Sequence, residues 1–202
     1  MFRFIKIVFN AFILVLAIIG FNAIGGQKYV EIVTSKVTTF IQQRAIENAK
    51  KLGDFSNLHE EFQIDNTVNL LGYHAVIAEH KVSGQKLCIV DSGKKPLLTQ
   101  KDIKSSDLEK KMQDLVSKFK YQSVSFHEIK VVSRGTINIY GQNVPFAKFE
   151  AKSNRLPFSD LSGIVSSIKT NDGSEKLAIS INEKKKYSQL ISEEFFENVK
   201  EN

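Results

Sequence analysis

Between Lys6 and Lys28 the chain carries no charged side chain, an uncharged run of 21 residues from Ile7 to Gln27. Its centre, Ala11 to Ile19, is wholly apolar. About 20 helical residues rising roughly 1.5 Å each span the roughly 30 Å hydrocarbon core of a bilayer. A helix satisfies its own backbone groups, so such a segment crosses lipid unaided. Asn10 and Asn22 stand toward its two ends, within reach of the headgroups.

Two readings compete for this run. A cleaved signal peptide needs a basic start, a shorter apolar core and small residues before the cut, which Ala23-Ile24-Gly25 would supply. The apolar stretch is longer than a typical signal core, which favours an uncleaved anchor. Cleavage near Gly25, giving a secreted protein, is the alternative. No cysteine stands near residue 20, which disfavours a lipoprotein. Arg3 and Lys6 on one side nearly balance Lys28, Lys36 and Arg44 on the other. The short basic tail is assigned to the cytoplasm, and the long following domain outside it.

The expected organisation is residues 1–27 as membrane helix, 28–53 as amphipathic helix and 54–202 as one extracytoplasmic α+β domain. Val33, Val37, Phe40, Ile41, Ala45, Ala49 and Leu52 recur at helical steps. Gly53 follows where a left-handed cap would end that helix. Tyr73–Val82 and Leu87–Val90 flank Ser83-Gly84-Gln85-Lys86 as a hairpin. Ser106-Asp107-Leu108-Glu109 has capping-box form ahead of a stripe of Leu108, Met112, Leu115, Val116 and Phe119.

Residues 124–140 predict one long or two short strands with a bulge near Arg134-Gly135. Gly141-Gln142-Asn143 predicts a turn into Val144–Ala151, where Pro145 requires a strand start or an edge. Ile164 to Ile168 and Leu177 to Ile181 predict two strands joined through Asn171-Asp172-Gly173-Ser174. A last helix begins near Ser188 and carries Leu190, Ile191, Phe195, Phe196 and Val199.

Hairpins with helices between them predict an α+β fold, an antiparallel sheet packed with helices. This element order is similar to that of the PsbP/Mog1 type of sandwich, named in part for the photosystem oxygen-evolving extrinsic protein. The likeness implies architecture only.

Chemistry-bearing residues are sparse. The single cysteine, Cys88, excludes an intramolecular disulfide and a multi-cysteine zinc site. His74 and His80 share a strand face but lie about 20 Å apart at roughly 3.3 Å per residue, too far for one ion. An even-numbered hairpin loop turns Cys88 away from both. His59-Glu60-Glu61 lacks the second histidine of a zinc-protease motif. His127 stands alone, and Asp65 and Asp91 have no partner fixed by spacing. Nucleophile-elbow, P-loop and dinucleotide fingerprints are absent. No catalytic residue, metal ligand or cofactor is assigned.

The net charge of +6 falls to +4 without Arg3 and Lys6, and acids are interspersed among the lysines, which argues against a nucleic-acid partner. Lys184, Lys185 and Lys186 are candidates for contact with a membrane surface. Arg155, Leu156, Pro157 and Phe158 place large apolar groups in a polar connection. They either plug the end of the sheet or bind a partner, and Tyr140 and Phe146 extend either arrangement.

The expected function is a non-catalytic binding or assembly module of the cell envelope, joined to lipid through residues 7–27 and taking a protein, lipid or cell-wall partner. The alternative is a membrane-tethered hydrolase with an unrecognised acid/base pair. A subunit of a larger membrane assembly is a third expectation. A deep polar cleft with convergent acids or histidines would mark the enzyme; an apolar patch would mark the binder.

Overall fold

The computed structural model describes residues 47–70, 73–93, 95–117, 126–154 and 160–202. Seven strands form one antiparallel sheet: β1 (Phe62–Leu70), β2 (Tyr73–His80), β3 (Gln85–Asp91), β4 (Phe126–Ile139), β5 (Gln142–Ser153), β6 (Asp160–Lys169) and β7 (Glu175–Glu183). The spatial order is β1-β2-β3-β7-β6-β5-β4, with every neighbouring pair antiparallel. Two meanders therefore meet along the β3–β7 seam. The chain leaves β3 near the centre and crosses one face through α1 (Gln100–Lys104) and α2 (Leu108–Ser117) before entering β4 at the far edge. The last helix, α3 (Gln189–Asn198), lies on the other face.

Covering both faces explains the central strands. All of β3 except Asp91 is buried, and β6 is buried from Leu161 to Ile168. A strand enclosed on both sides reads as a continuous apolar or small-residue run rather than an alternation. On the α1/α2 side, Ile77, Cys88, Phe149, Val165 and Leu177 meet Ile103, Leu108 and Met112. On the α3 side, Leu87, Ile89, Ile139, Ile164 and Ile168 meet Phe195, Phe196 and Val199. Gly163 in β6 is required by close approach, since a Cβ there would stand 2.3 Å from the Ser180 carbonyl oxygen.

The α+β architecture follows the sequence reading, with local differences that have physical causes. β2 stops at His80 and β3 begins at Gln85, so the hairpin loop is Lys81–Gly84. Gly84 supplies its left-handed residue, with φ of 69°. The capping box forms at Thr99 and Asp102 ahead of α1, not at Ser106 and Glu109. The Glu109 carboxylate instead accepts from the Val131 amide of β4 (2.7 Å). The irregularities in β4 fall between His127 and Lys130 and between Val131 and Ser133, not at Arg134-Gly135. Gly135 is covered by the Phe146 ring, which a Cβ would meet at 2.8 Å.

The β4–β5 turn is Tyr140-Gly141, one residue earlier than expected, with φ of 54° and 74°. Two positive φ values in a two-residue loop match the twist of the flanking strands. A tyrosine adopts this backbone because its side chain is held: its hydroxyl donates to the Leu52 carbonyl, and Lys176 Nζ lies 5.4 Å from its ring centroid.

Pro145 is the fourth residue of β5, which is not an edge strand. Pairing with β6 begins one residue later, at Phe146 and Ser166. Counting outward from the hairpin, Pro145 opposes Thr136 in a non-hydrogen-bonded pair, so β4 requires no donor from it. Its carbonyl accepts from the Ser166 hydroxyl (2.8 Å).

Of the expected helix at 28–53, residues 47–49 are helical, and the earlier residues lie outside the described ones. Ala49 and Leu52 are buried against Val76, Phe55 and Ile64. Gly53 is not among the positive-φ glycines. It is demanded instead by the Lys200 carbonyl, which a Cβ would meet at 2.8 Å. Paired hydrogen bonds between Asp54 and Lys200 (2.8 and 3.0 Å) fasten the start of the domain to its end. Leu190 is 75% exposed, on the outward side of α3. Among the described residues no helix is long and apolar enough to cross a membrane; the run from Ile7 to Gln27 lies outside them.

Candidate functional site

The side chains of β3, β5, β6 and β7 that face α2 leave a cavity of about 80 Å³. Its floor includes Cys88, Phe149, Val165, Leu177 and Ile179; Met112, Leu115 and Val116 of α2 form the opposite wall. Phe126, Ala151, Leu161 and Ile181 also line it, toward the ends of their strands. The volume is about half the roughly 150 Å³ of a dry apolar cavity that takes benzene. Leu115, Val116, Ile179 and Ile181 are only partly buried, so the space is not sealed.

Among the described residues that line the cavity, Lys86 is the one charged side chain. Its ammonium lies 2.7 Å from both Asp65 and Glu79 carboxylates, with the lysine and aspartate side chains each 7% exposed. Register explains the meeting. Glu79 opposes Lys86 across the β2–β3 ladder, and the irregularity between Ile64 and Asn66 contains Asp65. An extra residue in a strand redirects a side chain in this way. Gln63 Nε2 donates to the remaining Asp65 oxygen (3.0 Å). Lys86 is therefore neutralised in place and offers no free cation to an anionic ligand. Burial pushes the Cys88 thiol far above its ordinary pKa, so it serves as apolar wall rather than nucleophile.

The residues singled out from sequence fall in several places. Arg155, Leu156, Pro157 and Phe158 lie outside the described residues, in the connection between β5 and β6. Tyr140 and Phe146 are buried in the α3-side core and present no surface. Lys184, Lys185 and Lys186 are exposed in the β7–α3 connection; Lys184 pairs with Glu150 and Lys186 with Glu183 (2.7 and 2.9 Å). Cys88 opposes Ile77, so it points to the opposite face from His74 and His80. Asp65 is committed to Lys86, and Asp91 accepts from the Gly93 amide (2.7 Å).

One constellation escaped the sequence reading. His80 Nδ1 lies 3.0 Å from Ser83 Oγ, and His80 Nε2 lies 3.1 Å from Glu61 Oε2. The set resembles a nucleophile, base and acid, but its hydrogen bonds are already spent. Nδ1 also accepts the Ser83 amide (3.2 Å), which assigns the ring proton to Nε2 and its bond to Glu61. Ser83 Oγ accepts the Gln85 amide (3.2 Å), and the Gly84 amide donates to His80 (2.8 Å). No donor among these turn amides is left for an oxyanion. The arrangement locks a hairpin.

A second buried polar group docks α3. Gln85 Nε2 contacts Ser180 Oγ, Ser192 Oγ and the Ser188 carbonyl, each at 2.9 Å, while its Oε1 accepts the Ser188 amide. Tyr187 reaches Ser192 (3.1 Å). Burial raises the Tyr187 pKa to about 12 and pushes Tyr140 beyond that. Unfolded tyrosine ionises near 10, so the unfolded chain releases these protons first. Both contributions are complete below about pH 10; that of Tyr187 is lost as pH rises through about 12, and that of Tyr140 is still falling there. Thermal melting should therefore hold steady to pH 10 and fall above it, with a weaker fall in Tyr187→Phe. Melting unchanged to pH 12 would contradict the burial of both rings.

A comparison with known protein families finds no matching family model, and a comparison with curated proteins finds no match.

Proposed function

We propose that the chain is a membrane-anchored extracytoplasmic module that binds an envelope partner through an apolar group. The cavity between the sheet and α2 carries the binding part of this reading. Its lining among the described residues is apolar apart from a lysine already neutralised by two carboxylates, as suits a pocket that accepts a short branched side chain or the end of an alkyl chain. Among the described residues no group of three His, Cys, Asp or Glu side chains is placed to hold a metal ion, and the one histidine–serine–glutamate set has its hydrogen bonds spent within the β2–β3 hairpin. The uncharged run from Ile7 to Gln27 supports the anchor, with the amino terminus in the cytoplasm and residues 54–202 outside it. The PsbP/Mog1-like element order is kept as an architectural reading that assigns no activity. Leu156 and Phe158, in the connection between β5 and β6, remain candidates for the partner contact from their sequence alone.

The chain has two methionines, Met1 and Met112, and Met112 lines the cavity. With methyl-labelled methionine in the full chain in lipid nanodiscs, xenon should shift the Met112 signal saturably and leave Met1 on a linear solvent response. Ala151→Phe, which fills the cavity, should abolish the saturable shift. Linear behaviour of Met112 in the unaltered chain would defeat the pocket. For the anchor, full-length protein should pellet with membranes and lose residues 54–202 to protease added outside the cell. Recovery in a detergent-free supernatant, uncut, would defeat that part.

A further inference from the structure

Three large hydrophobic side chains are strongly exposed among the described residues: Val82, Val132 and Leu190. Single exposed hydrophobics are ordinary on a protein surface. Two of these three, however, are brought to one end of the sheet by loops about a hundred residues apart in sequence. Val82 is at the tip of the β2–β3 hairpin and is 77% exposed; Leu190 is in the first turn of α3 and is 75% exposed. The loops are tied directly: Asn182 Nδ2 donates to the Ser83 carbonyl (3.1 Å) and to the Lys186 carbonyl (3.4 Å), and Gln85 Oε1 accepts the Ser188 amide (2.9 Å).

The charge on these loops has one sign. Residues 81–84 and 184–190 contain Lys81, Lys184, Lys185 and Lys186 and no acid, and all four lysines are exposed. Lys81 donates to a backbone carbonyl, that of Glu60 (2.5 Å). The pairs Lys184–Glu150 and Lys186–Glu183 are solvent-exposed, with lysine side chains 51% and 65% accessible, so an anionic surface competes readily for them. Exposed aliphatic side chains on loops that also carry four exposed lysines match an anionic lipid interface, where the aliphatics enter between headgroups and the lysines stay at phosphate level.

We infer that this end of the sheet, Val82 and Leu190 with Lys81 and Lys184–Lys186, docks on a bilayer surface bearing anionic headgroups. It lies at the opposite end of β7 from Lys176, whose ammonium reaches the Leu52 carbonyl where the chain joins the domain (3.4 Å).

The chain has no tryptophan, so one introduced indole reports alone. The full chain bearing Val82→Trp, reconstituted in phosphatidylcholine vesicles with and without phosphatidylglycerol, should show blue-shifted emission and several-fold stronger quenching by brominated acyl chains only when phosphatidylglycerol is present. Leu190→Trp should behave alike. Asn171→Trp, in the β6–β7 turn at the other end, should stay water-like. Replacing Lys184, Lys185 and Lys186 together by glutamate should return Val82→Trp to a water-like spectrum. Water-like emission from both reporters in both vesicles overturns the inference, as does equal quenching in phosphatidylcholine alone. A blue shift that grows with protein density and ignores headgroup charge assigns the surface to a second copy of the chain and also overturns it. Flotation with phosphatidylcholine vesicles reads the apolar run separately, so failure of the anchor and failure of this surface remain distinguishable.

Discussion

Phe195→Ala should lower the unfolding free energy by about 3–5 kcal/mol, a large share of the roughly 5–15 kcal/mol that holds an ordinary domain. Phe195 is fully buried, with its ring centroid 5.2 Å from that of Phe196, 5.5 Å from Phe62 and 6.3 Å from Phe55. Those partners come from α3, β1 and the segment ahead of β1. One truncation therefore loosens the last helix, an edge strand and the start of the domain together. Alanine leaves a void that neighbouring rings cannot close without leaving their own contacts. Urea denaturation of full-length protein, read on the far-ultraviolet signal of the domain, should show the midpoint fall with little change in slope. A loss below about 1 kcal/mol would mean that the aromatic cluster is not packed as described.

Lys86→Met should cost a similar amount, about 3–5 kcal/mol, by a different route. Methionine nearly preserves the volume, so packing against the cavity survives. What changes is that Asp65 and Glu79 lose the ammonium 2.7 Å from each of them. Breaking a buried ion group by removing one partner leaves charge without compensation, whereas replacing the whole group by neutral residues does not. The triple change Lys86→Met, Asp65→Asn, Glu79→Gln should accordingly be more stable than Lys86→Met alone. Equal stability of the single and triple variants would show that the carboxylates do not depend on Lys86.

Strand and turn positions were legible because local chemistry sets them. Asn171-Asp172-Gly173-Ser174 lies within the β6–β7 connection, with Gly173 at φ of 82° and Asp172 accepting from Thr170 and Ser174. The stripe in α2 was legible too: Leu108 and Met112 are buried, and Leu115 and Val116 pack beside them. The capping box was misplaced because two segments carry similar cap chemistry, and tertiary contact chose between them. Glu175 from β7 accepts the Gln100 amide at the start of α1 (3.0 Å), while Glu109 is drawn to β4.

The candidate site was less legible. No periodic pattern marks a cavity, because its walls are the same apolar positions that a filled core would use. Nor does sequence announce that Val82 and Leu190 share one end of the sheet. Leu190 reads as part of a core stripe until the helix is rotated by the demands of Phe195 and Phe196.

Taken alone, the amino-acid order determined an uncharged apolar run, an antiparallel α+β domain and the absence of a recognisable catalytic motif, since these depend on composition, periodicity and turn chemistry. Tertiary structure alone decided which face Cys88 takes relative to His74 and His80, how Asp65 reaches Lys86 and which loops meet. Those outcomes depend on loop length, strand register and the crossover to β4. A one-residue change of register reverses every side chain on a strand, and no local pattern records it.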